Sequence, residues 1–350
     1  MRTSLFLLAG FAFIAGCGDE TTQPNPIDEQ RATPAVEVAH DTWLTLANMP
    51  ANRTDLAVAT VTNAAGQSVV YAIGGLSPTR MPLDKVTAYN VATNTWSFRR
   101  PLPTRLAGSN GAGVIDGKIY VSGGYSDYGG DFPGGSLYMY DPATNIWTEK
   151  RGIPRVGGPG AYQYGAGNGV TGVINGKLYV VSGCFMAWEP WGYYEDCNPL
   201  FFRYNPVTDR WVTLPPPFAD PTDGPHMGGV IGGKFYVMGN DGARLAVYDP
   251  AINQWTSKTP LKLSRPGAAS AVLGGKLYLM GGRRYNATLH TYETLDITLV
   301  YDPATDAWTR RASMPSPRSG IAASRVFLDG QPRIEVVGGV APGNNLQYVP

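Results

Sequence analysis

Five copies of one eight-residue pattern decide what this chain can fold into. Tyr89-Asn-Val-Ala-Thr-Asn-Thr-Trp96 recurs as Tyr140 to Trp147, Tyr204 to Trp211, Tyr248 to Trp255 and Tyr301 to Trp308, with Tyr and Trp always seven positions apart. The intervening Asp or Asn, the Pro present in four of the copies, and a second Asn or Asp supply a preset φ and side-chain acceptors for a tight turn. Each copy therefore predicts a β-hairpin with one aromatic on each arm.

A second signature precedes every copy. Gly117-Lys-Ile-Tyr-Val-Ser-Gly-Gly124 and Gly275-Lys-Leu-Tyr-Leu-Met-Gly-Gly282 show it best: a glycine turn, an alternating apolar strand and a small-residue pair. Small apolar stretches such as Gly111 to Ile115 and Gly267 to Leu273 come before these and suit a crowded innermost strand. The repeat thus reads as four antiparallel strands in about fifty residues, the size of a propeller blade. With 44 Gly and 29 Pro in 350 residues, a mainly helical fold is excluded.

Small-residue pairs occur six times, at Gly74, Gly123, Ser182, Gly239, Gly281 and Gly338, whereas the complete Tyr-to-Trp hairpin occurs five times. The sixth unit stops at Tyr348-Val349-Pro350, where its turn should begin, and the missing Trp arm stands at the other end, in Asp41-Thr-Trp-Leu-Thr-Leu46. The expectation is an all-β, six-bladed propeller over residues 41–350, with the N-terminal strand completing the last blade and closing the ring.

The hydrophobic-Gly-Gly strand end followed by Tyr and then Trp resembles the kelch repeat. Ser182-Gly183 and Gly239-Asn240 depart from its double glycine. A copper oxidase of the galactose oxidase type is similar in its kelch-like blades, but with three histidines and three cysteines this chain lacks the ligands for it. No other metal-ligand cluster and no cofactor motif is present. Gly167 to Gly172 matches a dinucleotide fingerprint as a string but leads into a strand and turn, without the helix N-terminus that a pyrophosphate needs.

The N-terminus reads as an address. Arg2, an apolar run from Leu5 to Ile14 and the small exit Ala15-Gly16 form a secretory signal over residues 1–16, too short for an anchor helix. Ile14-Ala-Gly-Cys17 resembles the bacterial lipobox, which implies lipidation of Cys17, a tether over residues 17–40 and an exported chain anchored to the cell envelope. In that oxidising compartment Cys184 and Cys197 can close a disulfide loop worth about 3 kcal/mol in the chain-entropy model; two free buried thiols are the other reading. With 28 basic and 27 acidic residues, the chain has no basic stripe for nucleic acid, and a monomer is expected.

In an up-and-down blade, the turns joining strands one to two and three to four share one face and are short. The connections from strand two to three and from blade to blade share the opposite face and vary in length, which places function there. Candidates on that face are Trp188, Trp191 and Tyr193 between the two cysteines, Arg284 with Tyr285 and Tyr292, and the arginines Arg53, Arg105, Arg155, Arg265 and Arg318 ahead of innermost strands. Arginine suits carboxylate or phosphate contacts, yet it can equally satisfy loop carbonyls. Blade four replaces its arginine with Asp220, Asp223 and His226, a place for acid-base chemistry.

These features favour a membrane-tethered binding module for a glycan or an envelope or extracellular protein over an enzyme. The alternative is an isomerase of anionic sugars, because six kelch-like blades also resemble the sialic acid mutarotases. That likeness is architectural.

Overall fold

The structure, a computed structural model, describes residues 40–109, 111–126, 135–154, 167, 169–183, 185–189, 192–196, 200–217, 225–239, 242, 244–340 and 344–350. Cys17, Arg155, Cys184, Trp191, Cys197, Asp220 and Asp223 lie outside these residues.

Blade one comprises β2 (Ala57–Thr62), β3 (Ser68–Ile73), β4 (Val86–Asn90) and β5 (Thr95–Arg99), following β1 (Thr42–Asn48). Blade two contains β6 (Ala112–Ile115), β7 (Lys118–Ser122), β8 (Leu137–Asp141) and β9 (Ile146–Lys150). Blade three contains β10 (Val170–Ile174), β11 (Lys177–Val181), β14 (Phe201–Asn205) and β15 (Arg210–Leu214), and a separate hairpin, β12 (Phe185–Glu189) with β13 (Gly192–Asp196), lies between its second and third strands. Blade four runs β16 (Pro225–Ile231), β17 (Lys234–Gly239), β18 (Leu245–Asp249) and β19 (Gln254–Lys258). Blade five contains β20 (Ala268–Leu273), β21 (Lys276–Gly281), β24 (Thr298–Asp302) and β25 (Ala307–Arg311), with an inserted hairpin of β22 (Arg283–Asn286) and β23 (Thr291–Thr294). Blade six pairs β26 (Ile321–Leu328), β27 (Gln331–Gly338) and β28 (Asn344–Val349) with β1.

Six four-stranded antiparallel sheets therefore form a ring, each innermost strand lying against those of the two neighbouring blades. This is the six-bladed propeller expected from the repeat, and β1 pairs with β28 to close it.

The repeat also explains the core. Second strands are buried along almost their whole length, as in Ser68–Ile73, because both faces of the blade meet neighbouring sheets there. The outermost strands have mixed exposure. Tyr71, Ile73, Ile119, Val121 and Tyr140 interleave between blades one and two in this way. At the departures from the double glycine, the strands hold: the Ser182 hydroxyl accepts the Leu200 amide at 2.9 Å, and β17 runs through Gly239.

The Tyr-to-Trp hairpins do more than turn the chain. Tyr and Trp stand directly opposite in every copy, with ring centroids 4.8 to 5.3 Å apart. The tyrosine hydroxyl donates to the turn's second Asx: Tyr89 to Asn94, Tyr140 to Asn145, Tyr204 to Asp209, Tyr248 to Asn253 and Tyr301 to Asp306. These Asx residues all have a left-handed φ, from 51° at Asp209 to 56° at Asn145, a conformation Asn and Asp tolerate better than other side chains.

Each hairpin then clips onto the preceding blade at a single residue. Trp147 Nε1 donates to the carbonyl of Arg100 at 3.0 Å, while the Arg100 amide donates to Asn145 at 2.9 Å. The same two-pronged contact joins Trp96 and Asn94 to Ala47, Trp211 and Asp209 to Arg151, and Trp308 and Asp306 to Thr259. In blade four Trp255 donates to the carbonyl of Pro215, which has no amide for the second bond.

Candidate functional site

The innermost strands surround a cavity of about 710 Å³ that opens on the face of the variable connections. Backbone bonds between loops build its rim. Gly320 N donates to Gly267 O, Asp55 N to Gly320 O and Gly108 N to Asp55 O, at 2.8, 3.1 and 3.0 Å, so successive blades are joined rung to rung.

All four rung residues have a left-handed backbone, with φ of 73° at Gly267, 66° at Gly320, 53° at Asp55 and 54° at Gly108. Three are glycine, for which this conformation carries no steric penalty, and the fourth is aspartate, at a cost of about 1 kcal/mol. Asp55 lines the cavity, with Thr54 Oγ1 donating to its Oδ2 at 3.0 Å. Burial pushes its carboxyl above the usual value, opposed by the Thr54 hydrogen bond and by the charges of Arg283 and Arg80.

Both arginines also line the cavity and are exposed. Arg80 stands in a turn whose amide donates to Ser77 O at 2.8 Å, itself at φ 59°. Arg283 opens β22, anchored by its amide to Pro266 O at 2.9 Å, and its guanidinium lies 5.4 Å from the Tyr292 ring centroid. Asn52, Ser77, Ser109, Tyr125 and Ser319 add polar groups to the same wall.

Beside the mouth, β22 and β23 pair Tyr285 with Tyr292, whose rings meet edge to face at 5.4 Å. Tyr285 is 52% exposed, Tyr292 55% and Leu289 65%. Arg284 holds Glu293 at 2.7 Å, and Asn286 donates to the other oxygen of the same carboxylate at 2.5 Å, bracing the hairpin. Those two bonds, the Arg284 one first, hold the Glu293 carboxyl below its usual value.

The arginines expected from the sequence occupy a different level. Arg53, Arg265 and Arg318 are each 1% exposed. Arg53 donates to Gly74 O at 3.0 Å, Lys85 O at 2.7 Å and Thr87 Oγ1 at 2.6 Å; Arg265 donates to Gly281 O at 3.2 Å and Ile297 O at 3.4 Å. In blades one and five the guanidinium thus ties the end of strand two to the start of strand three, the carbonyl-satisfying use of arginine. Burial lowers Arg53 and Arg265 to about 10, which leaves both charged at neutral pH. Arg105 forms interactions of its own within the described structure. Trp188 and Tyr193 stand opposite each other in β12 and β13 by backbone register, and His226 lies in β16.

Sequence reasoning passed over Asp55 and Arg80, and singled out Arg283 as part of the aromatic blade-five loop without placing it at the mouth. A signal for the first existed: Arg-x-Gly at Arg265 to Gly267 and Arg318 to Gly320 becomes Arg-x-Asp at Arg53 to Asp55.

A closed ring of six four-stranded blades with a polar mouth on its variable-loop face defines a six-bladed β-propeller. The Kelch motif family model matches residues 59–103, 108–151 and 264–315, so blades one, two and five carry kelch motifs. It is similar to the Kelch-like protein terF of Aspergillus terreus, at 28% identity over 91% of this chain and 66% of that protein. It is also similar to human Kelch-like protein 21, at 26% identity over 76% of this chain and 47% of that protein. The chain therefore spans less than two thirds of the length of either relative. Among solved structures, that of YjhT superposes with a TM-score of 0.63 at 15% identity, covering 86% of this chain and 95% of that one, a likeness of fold.

Proposed function

We propose that the protein is an exported, lipid-anchored binding module whose variable-loop face engages an envelope or extracellular protein, or a glycan. The observation that carries this reading is the β22–β23 hairpin, which exposes Tyr285, Leu289 and Tyr292 next to the channel mouth while an ion pair and a hydrogen bond hold its shape. Rigid, exposed tyrosines give large contact area at low entropic cost, the usual composition of a recognition surface. The kelch repeats and the similarity to kelch-like proteins support an interaction role. Changing Tyr285 and Tyr292 to Ala together should abolish binding in a glycan-array and envelope-protein screen with the melting temperature unchanged. Full binding by the double variant would overturn the reading.

A second reading, an isomerase of anionic sugars, is supported by one carboxylate and two guanidinium groups sharing the cavity. There Arg80 and Arg283 would hold the sugar's anionic group and Asp55 would exchange protons with its hydroxyls. Anomer interconversion of sialic acid followed by NMR tests it: a rate lost in Asp55→Asn supports it, and no acceleration by the unmodified protein excludes it.

A further inference from the structure

Three observations meet at Asp55. Its backbone is left-handed at a rung where Gly267, Gly320 and Gly108 stand in other blades, so a side chain is held there against a conformational cost. The side chain lines a cavity of a size that takes a small ligand. Arg80 and Arg283 act on it through their charge, yet among the described residues no ion pair joins either of them to it.

We propose that the mouth is a site for a carboxylate, sulfate or phosphate oxyanion held between Arg80 and Arg283, and that Asp55 is its proton-linked gate. This rests on the mouth being a ligand site, as above, and holds for either reading of function.

With Asp55 ionised, its carboxylate offsets one of the two guanidinium charges and repels an arriving anion at close range in a partly desolvated space; once Asp55 is protonated, both guanidinium charges act on the anion. The anion also offsets the positive field of Arg283 and Arg80 that opposes the upward push of burial on the carboxyl. Binding therefore raises the affinity of Asp55 for a proton: one proton from solvent joins a carboxylate oxygen, and the neutral acid can donate to the ligand. Among the described lining residues Asp55 is the only carboxylate and Tyr125 the only phenol, and the cations are Arg53, Arg80 and Arg283. The Arg53 guanidinium is bonded within its own blade, and the rungs packed against Asp55 bring Gly108, Ser109, Ser319 and Gly320.

The test is titration calorimetry of the full-length protein with sulfate, which does not titrate between pH 4 and 8, and with pyruvate as a carboxylate. Runs in two buffers of different ionisation heat count the protons taken up. The expected result is uptake approaching one proton, with affinity rising up to about tenfold per pH unit as the pH falls through the gate's range. Asp55→Gly, which matches the other rungs, should bind more tightly at neutral pH, take up no proton and lose the pH dependence. Arg283→Gln should weaken binding of both anions at every pH. Binding to the unmodified protein without proton uptake, or pH dependence that survives in Asp55→Gly, would overturn the gate while leaving the mouth as a site. No binding to either protein at any pH would overturn the site itself.

Discussion

The hydroxyl of Tyr348 donates to Asp41 Oδ1 at 2.7 Å, joining residues 307 positions apart. This is the Tyr-to-Asx bond of the five continuous hairpins, made here between the two ends of the folded ring. The imitation is complete: Trp43 stands opposite Tyr348 with ring centroids 5.2 Å apart, Trp43 Nε1 reaches Ala312 O at 2.9 Å, and the Ala312 amide returns to Asp41 at 3.0 Å. The last blade thus lacks only the covalent turn.

Asp41→Ala should lower stability by about 1–2 kcal/mol, since it removes two acceptor contacts at the closing seam. Asp41→Asn should stay close to the parent at neutral pH, because Asn94, Asn145 and Asn253 fill the same position elsewhere. Removing residues 41–46 should lower the melting temperature sharply. Denaturant titration of the three variants checks the order, and an unchanged transition on deletion would contradict closure by β1.

Acid should weaken three of the six staples and spare the others. Asp209 and Asp306 are held below the usual carboxyl value chiefly by the hydroxyls of Tyr204 and Tyr301, and Asp41 chiefly by the Ala312 amide. Groups with a folded value below the unfolded one, near 3.8, stabilise fully above it, and that contribution fades as pH falls through the folded value. Replacing all three by Asn should flatten the loss of melting temperature between pH 5 and pH 2. A triple variant with the parent's acid slope would refute the assignment.

Glu335 should act in the opposite direction. It is fully buried on β27, accepts from Gln347 Nε2 at 3.0 Å, and Gln347 Oε1 accepts from Arg333 at 2.6 Å. Burial pushes its carboxyl up to about 8, against the pull of Gln347, Asn345 and Arg333. The folded state keeps the proton after the unfolded chain has released it, so stability should decline as pH rises from the unfolded value near 4.5 to about 8 and then level off. Glu335→Gln should remove that decline, read as melting temperature at pH 5, 6.5 and 8.

Asp55→Gly should leave the melting temperature unchanged or slightly raised. It relieves about 1 kcal/mol of left-handed strain while adding freedom to the unfolded chain. A clear loss of stability would mean that the carboxylate holds the rung together, contrary to its backbone hydrogen bonds.

Periodicity made the scaffold legible. Tyr, Trp and turn residues keep a fixed spacing, and even the split blade shows itself as an unmatched Trp43 and Tyr348. The interblade clips were not legible, because their far ends at Ala47, Arg100, Arg151, Thr259 and Ala312 contribute only backbone groups, which any residue but proline supplies. The mouth was half legible. The variable-loop face followed from strand direction, but Arg53 and Arg265 are buried among carbonyls two residues short of the rung, while Asp55 and Arg80 from two loops of blade one and Arg283 from blade five reach the cavity through loops without a common pattern.

The most direct measurement compares the two faces of the ring. Tyr285→Ala with Tyr292→Ala alters the variable-loop face, whereas Val207→Asp with Ile252→Asp alters the strand three-to-four turns opposite, where these side chains are 91% and 60% exposed. In one glycan-array and envelope-protein screen, the first pair should lose binding and the second should retain it, both with the parent's melting temperature. Binding lost only in the second pair would place recognition on the wrong side of the propeller for this account.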